Sequence, residues 1–237
     1  MSPERRSRAA DVEESLLNSI LDGVHPPGSV LPSEAELAGL TGVSRLTLRE
    51  AIKALTAKRV LTVRHGTATR VNPLGDWNVL DPTVLGVRMR HPDSDPSLPH
   101  RFLEARRAVE VAVAELAALR RSASDLDELE LQVRRQREAN VGRDVDASVA
   151  ADVAFHTVVM AAAGNPFMAA LLEPFGDVLV ATRRQSHAHS ECSAHAVDHH
   201  ARILEALRSG DPTAARLAMD AHMQQTHDDM HTYLGGL

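Results

Sequence analysis

The stretch LPSEAELAGLTGVSRLTLREAIKAL, residues 31–55, decides the fold of the amino-terminal part of this chain. Ser33 is a good helix N-cap, and Glu36 follows three residues later, as a capping box requires. A short turn around Gly42 follows, and Ser44 caps a second helix. The inner face of that helix is apolar: Leu48, Ile52 and Leu55. Two short helices joined by a glycine-containing turn predict a helix-turn-helix.

The sequence on either side of this stretch extends the prediction. Residues 9–23 have apolar side chains spaced by four, which predicts one more amphipathic helix. Residues 60–63 and 69–71 alternate like two short strands, and Arg64-His65-Gly66 lies between them at a basic tip. The whole segment therefore predicts a winged helix-turn-helix with a small β-wing.

Polar side chains cluster where the second helix of the motif begins. They are Ser44, Arg45, Thr47 and Arg49. In helix-turn-helix proteins this end of the helix contacts base edges and phosphates. Arginine spans the O6 and N7 atoms of guanine, and hydroxyls suit phosphate oxygens. The alternative is an ordinary solvated helix pair followed by a hairpin.

Composition supports a mainly α, two-part chain. Aromatic residues make up only 3% of the 237 residues, while alanine and leucine are abundant, which favours packed helices over a β-sandwich. Residues 1–75 contain ten Lys/Arg and eight Asp/Glu, against sixteen and twenty-four in the remainder, so only the first part suits a nucleic-acid partner. The single cysteine, Cys192, allows no intrachain disulfide. We see no signal core and no span for a bilayer, and expect a cytoplasmic protein without a membrane partner.

Three domains are predicted along the chain. Residues 1–75 form the DNA-binding domain, and the proline-rich residues 76–96 form a linker with a short helix. Residues 97–237 show helix after helix without a strand pattern, including one predicted helix from Phe167 to Arg184. We expect an antiparallel all-α bundle of six or seven helices that carries an effector, a metal and the dimerisation surface.

An acid and three histidines stand out in this bundle. Asp152 and His156 are four residues apart on one apolar helix face. His200 lies at the core-facing edge of its helix, and His222 shares a face with Ala218, Ala221 and Gln225 on the last helix. Imidazole and carboxylate together suit a divalent transition ion, zinc first, with nickel, cobalt or manganese as alternatives. The alternative is a set of hydrogen-bonded core histidines. We expect His187, His189 and His195 to be solvated.

Residues 31–55 resemble the DNA-binding signature of GntR-family bacterial regulators, and His65, Gly66 and Val71 fall where that family places its wing. Ala68 departs from the pattern, because the family usually has a second wing glycine there. The resemblance implies a set of DNA contacts: Ser33, Ser44, Arg45, Thr47, Arg49, His65 and Gly66, with Arg64 as an addition.

The second half resembles the FCD domain of the FadR-type branch. The similarity lies in DVAFH, residues 152–156, and in HHARILEALRSGDPTAARLAMDAH, residues 199–222. It implies an FCD-like bundle with a metal held by four ligands: Asp152, His156, His200 and His222. It also implies an inward Arg106 that suits an effector carboxylate. Asn165 is expected to cap a helix, and to line the effector pocket as a second role.

These features together predict a ligand-responsive transcriptional regulator, not an enzyme. We expect a homodimer that represses a catabolic operon, binds double-stranded operator DNA and is released or retuned by a small carboxylate. Residues 77–85, WNVLDPTVL, resemble members that control sugar-acid use. Galactonate- or gluconate-like acids are therefore the first candidates, with citrate and lactate as rivals. The alternatives are a metal-dependent hydrolase fused to a DNA-binding module and a regulator of the acyl-CoA-binding subtype.

Overall fold

The computed structural model describes residues 7–63 and 68–234. The chain forms two compact units, Met1–Asp95 and Pro96–Leu237. The first unit contains helices α1 (Arg8–Leu21), α2 (Glu34–Thr41), α3 (Arg45–Ala57) and α4 (Pro82–Met89), strands β1 (Leu61–Thr62) and β2 (Arg70–Val71), and 3-10 turns at Leu74–Asp76 and Pro92–Ser94.

The helix-turn-helix is formed by α2 and α3, as predicted. Ser33 and Glu36 make the capping box that begins α2. Gly42 ends that helix in the left-handed region with φ of 67°, which glycine adopts without the steric cost of a side chain. Ser44 then caps α3 by accepting a hydrogen bond from the backbone N–H of Thr47 over 3.1 Å. The inner faces of α1 and α3 form the core of this unit.

A two-stranded antiparallel pair follows α3 and provides the base of the wing. Leu61 pairs with Val71, and Thr62 pairs with Arg70. The predicted wing tip, Arg64, His65 and Gly66, lies outside the described residues. The mainly α fold with a small β-wing is confirmed.

Of the segment predicted as a linker, residues 76–96, all but Pro96 belong to the first unit. Its helix α4 packs against α1, and its Val84 and Val87 belong to the first core. Trp77 is buried in the same core, and its indole N–H donates to the carbonyl oxygen of Asn72 over 3.0 Å.

The second unit is a bundle of helices. Its described residues form seven, and six or seven were predicted. Its helices are α5 (Leu98–Arg120), α6 (Ala123–Gly142), α7 (Val145–Ala162), α8 (Pro166–Leu172), α9 (Gly176–His187), α10 (Ser190–Ser209) and α11 (Pro212–Tyr233). The single helix predicted from Phe167 to Arg184 is wrong, because a 3-10 turn at Glu173–Phe175 separates α8 from α9. Pro174 explains the break, since proline cannot donate the hydrogen bond that would continue α8.

Helix α7 runs through the core of the second unit. By length and composition alone it could cross a membrane, with a mean hydropathy of 1.4, although no such span was expected from the sequence. In the structure α7 packs against α5, α6 and α9. It also carries buried polar side chains, Ser148, Asp152 and His156. A helix that is apolar on all sides is expected at the centre of a helical bundle as well as in a membrane, and α7 takes the central position here.

Candidate nucleic-acid interface and metal centre

The start of α3 presents the side chains expected to meet DNA. Arg45 and Arg49 are exposed, and Thr47 is half-buried. The hydroxyls of Ser44 and Thr47 lie 2.8 Å apart and hydrogen-bond to each other. The polar groups thus surround the amino-terminal end of the helix, where backbone N–H groups also favour an anion.

Two of the predicted DNA contacts are engaged with acidic neighbours. The Arg49 guanidinium binds Glu34 of α2, with Nη2 to Oε2 at 3.0 Å, and both side chains are exposed. The Ser33 hydroxyl donates to Glu36 over 2.7 Å within the capping box. An exposed ion pair of this kind is worth at most about 1 kcal/mol, so a phosphate can displace Glu34 from Arg49 at little cost.

Three histidines converge in the interior of the second unit. His156 on α7, His200 on α10 and His222 on α11 each offer a ring nitrogen, and these nitrogens all lie within 4.8 Å of one another. All three side chains are buried. Nε2 of His156 and Nε2 of His200 are 3.3 Å apart.

The Nδ1 atoms of two of these histidines each face an oxygen atom of a neighbouring helix. Nδ1 of His200 lies 2.8 Å from Oε1 of Gln136, and Nδ1 of His156 lies 2.7 Å from Oε2 of Glu110. A ring proton on each Nδ1, facing these oxygens, would leave the two Nε2 lone pairs directed at each other. Two imidazole nitrogens about 2.0–2.1 Å from one tetrahedral zinc ion lie about 3.3 Å apart, so the observed separation fits a shared cation.

Asp152 lies beside two of the three histidines. Its Oδ1 is 3.9 Å from Nε2 of His156, and its Oδ2 is 3.8 Å from Nε2 of His200. The same carboxylate pairs with Arg183 of α9 and lies 3.4 Å from Nε2 of His187. Oδ1, the oxygen that pairs with Arg183, is buried, and within the described part of the chain it has no further contact with hydrogen-bond geometry. A buried carboxylate oxygen of this kind is a suitable metal ligand.

The electrostatics of the cluster suit metal binding. Burial lowers the pKa of His200 to about 3 and lowers the pKa of His222 well below its usual value, so both rings are neutral. Burial alone would raise the pKa of Asp152, but Arg183 and its histidine neighbours hold that pKa well below the usual range. A metal ion needs this combination of neutral imidazoles and an ionised carboxylate.

Arg106, the predicted effector ligand, is buried on α5 and pairs with Glu110. Its Nε donates to Oε1 of Glu110 over 2.9 Å. Asn165 caps α8, where its Oδ1 accepts a hydrogen bond from the backbone N–H of Phe167 over 3.1 Å. Capping is the first role that its turn sequence predicts.

Four residues of the cluster were missed or misjudged from the sequence. Glu110, Gln136 and Arg183 were not predicted. The expectation that His187 is solvated is wrong, because it is 6% exposed and its Nδ1 lies 2.9 Å from the hydroxyl of Ser148. The only sign of a role for Glu110 in the sequence was its spacing of four residues from Arg106. This spacing does not distinguish a buried ion pair from one on the surface.

These observations define a class: a two-domain DNA-binding regulator with a winged helix-turn-helix and a helical domain built around a histidine cluster. Two family models match the chain, the gntR family of bacterial regulatory proteins over residues 8–71 and the FCD domain over residues 101–225. The chain therefore belongs to the GntR family of bacterial transcriptional regulators, in the FadR-type branch that carries an FCD domain.

Individual relatives agree with this assignment. The chain is 31% identical over 205 residues to the galactonate operon transcriptional repressor of Escherichia coli, covering 86% of this chain and 88% of the relative. It is 32% identical to the fatty acid metabolism regulator protein of Pectobacterium carotovorum over 86% of this chain and 82% of that protein. Lar, which controls expression of the Listeria monocytogenes agr system, shares the fold with a TM-score of 0.64 at 20% identity, over 97% of this chain and 99% of that one.

Proposed function

We propose that this regulator represses a catabolic operon and is released or retuned by a small carboxylate bound at a metal site in its second unit. The observation that carries the proposal is the convergence of His156, His200 and His222 beside two buried carboxylates and two buried arginines. The galactonate operon repressor among its relatives supports an acid as the signal.

The metal would be held by His156, His200 and His222 together with Asp152. Zinc suits this donor set first, and nickel, cobalt and manganese are alternatives. The ion would act as a Lewis acid that accepts a carboxylate or hydroxyl oxygen of the effector. Gln136 and Glu110 would orient the histidine rings through their Nδ1 atoms.

Charge balance favours an anionic effector. Arg106 and Arg183 carry two positive charges, and Glu110 and Asp152 carry two negative charges, so this buried set is neutral as a group. A divalent ion would add two uncompensated positive charges to a buried site, which is costly. Each carboxylate of an effector would offset one of these two charges and so lower that cost. Galactonate- or gluconate-like acids are the first candidates, and citrate and lactate are rivals.

DNA recognition would use Ser33, Ser44, Arg45, Thr47 and Arg49, together with Arg64, His65 and Gly66 at the wing tip. Helix-turn-helix proteins commonly bind as dimers to two half-sites, so we expect a homodimer on a pseudo-palindromic operator. The acid changes DNA affinity only if it binds with different affinity to the conformation of the dimer that binds DNA and to the conformation that does not.

The proposal is tested by equilibrium binding of the full-length protein to DNA from upstream of its own gene. The dissociation constant is measured with galactonate, gluconate, citrate or lactate added in turn. We expect one acid to change it by about fivefold or more, the usual lower range of coupling between two sites. If the protein binds the DNA and no acid changes the dissociation constant, the effector part of the proposal is wrong.

A further inference from the structure

Leu46 is a large apolar side chain in an unusual place. It is the second residue of α3, it is 70% exposed, and Arg45 and Thr47 flank it. It precedes the buried Leu48 by two residues, which is about 200° around a helix. Leu46 therefore projects directly away from the core of the first unit.

Exposure alone does not make a leucine functional, because single exposed apolar residues are common on protein surfaces. The position is what distinguishes Leu46. In helix-turn-helix proteins the first turn of the recognition helix enters the major groove. The neighbouring side chains on the outer face of α3 are charged, namely Arg49, Glu50 and Lys53. A leucine among them adds nothing to solubility, and charged residues favour the helix equally well.

The major groove offers one apolar feature for such a side chain, the C5-methyl group of thymine. We propose that Leu46 contacts a thymine methyl group in each half-site of the operator and so determines specificity at that base pair. This inference rests on the proposed function, in which α3 reads the DNA. Arg45, one position earlier on the helix, would supply the hydrogen bonds to an adjacent base.

The size of the effect follows from the group that is buried. Removing one methyl-sized group from an apolar contact corresponds to roughly a fourfold loss of affinity. Replacing the thymine in both half-sites of a dimeric operator therefore gives roughly a sixteenfold loss if the two contacts are independent.

The experiment begins with selection of an operator by the full-length protein from a random pool of duplex DNA. Each thymine of the selected half-site is then replaced by deoxyuridine, which removes only the methyl group. Fluorescence anisotropy gives the dissociation constant of each duplex. We expect one thymine position at which the replacement weakens binding by roughly fourfold per half-site.

Variants connect that loss to Leu46. In Leu46→Ala, which lacks most of the side chain, the thymine and deoxyuridine duplexes should bind equally. Leu46→Met keeps an apolar chain and should restore the difference. Leu40→Ala is the matched control, because Leu40 is also an exposed leucine of the same motif, 77% exposed on α2, and this variant should keep the full difference.

Two outcomes overturn the inference in distinguishable ways. If the protein enriches no sequence from the pool, the proposed function fails and the inference fails with it. If an operator is selected but no thymine responds to deoxyuridine, or if Leu46→Ala shows the same response as the unaltered protein, DNA reading by α3 stands and the role of Leu46 is wrong.

Discussion

Oε2 of Glu110 on α5 lies 2.7 Å from Nδ1 of His156 on α7, and this contact links α5 to the histidine cluster. Oε1 of the same carboxylate accepts a hydrogen bond from Arg106. Carboxylates that bind the remote nitrogen of a histidine ligand fix its tautomer and orientation in many metal sites. Arg106 lowers the pKa of Glu110 well below its usual range, against the opposing effect of burial, so Glu110 is ionised.

Glu110→Gln should weaken metal binding by about 10- to 100-fold, because the amide orients the His156 ring less firmly. The dissociation constant for zinc, measured by competition with a chromogenic chelator, checks this. Glu104→Gln is the control, since Glu104 is exposed on the same helix, and it should leave the constant unchanged. Equal affinity in both variants would remove Glu110 from the site.

His200→Ala should abolish stoichiometric metal binding, because His200 contributes one of the three converging nitrogens. Elemental analysis of the purified protein measures the metal per chain. His227→Ala removes an exposed histidine of the same unit and should retain the metal content of the unaltered protein. Metal content that survives in His200→Ala would show that the ion binds elsewhere.

Two aspartates of α7 allow a matched test of the buried ion pair. Asp152 pairs with Arg183 in the core, and Asp146 pairs with Arg184 on the surface. In metal-free protein, Asp152→Asn should lower the free energy of unfolding by about 3–5 kcal/mol, because it leaves a buried charge unpaired. Asp146→Asn should cost less than about 1 kcal/mol. Chemical denaturation measures both values, and similar losses would contradict the assigned burial.

Lys58 at the end of α3 joins two carboxylates of the first unit. Its Nζ lies 2.6 Å from Glu13 and 3.1 Å from Asp81. Lys58→Met should lower the free energy of unfolding by about 1–3 kcal/mol, since Glu13 is buried and loses its partner. Lys53→Met is the control, because the Lys53–Glu50 pair is exposed, and it should cost less than about 1 kcal/mol.

The pH dependence of this difference has a defined sign. Burial alone would lower the pKa of Lys58, but Glu13 and Asp81 raise it above the ordinary value of 10.5. A group whose pKa is raised in the folded state stabilises the fold fully at pH values below its unfolded-state pKa. This stabilisation is lost as the pH rises through the folded-state pKa. The gap between the unaltered protein and Lys58→Met should therefore stay constant from about pH 7 to pH 9 and shrink above about 10.4. A gap that grows in that upper range would contradict the pairing.

Local patterns in the sequence predict the helix-turn-helix well. The capping and turn roles depend only on neighbours a few positions away, as at Ser33, Glu36, Gly42 and Ser44. The His156, His200 and His222 set was also predictable, since helical spacing and family resemblance indicate which faces point inward. Arg183 and His187 were not predictable. They reach Asp152 only through the packing of α9 on α7, after the break at Pro174, and no local pattern specifies that packing.

The most direct test of the central claim measures DNA affinity with and without acid in the unaltered protein and in His200→Ala. Fluorescence anisotropy on the selected operator gives both dissociation constants. We predict that an acid from the galactonate, gluconate, citrate and lactate panel shifts the constant of the unaltered protein by about fivefold or more, and that His200→Ala binds the same DNA without responding. An equal response in His200→Ala would contradict control of the operator through this histidine site.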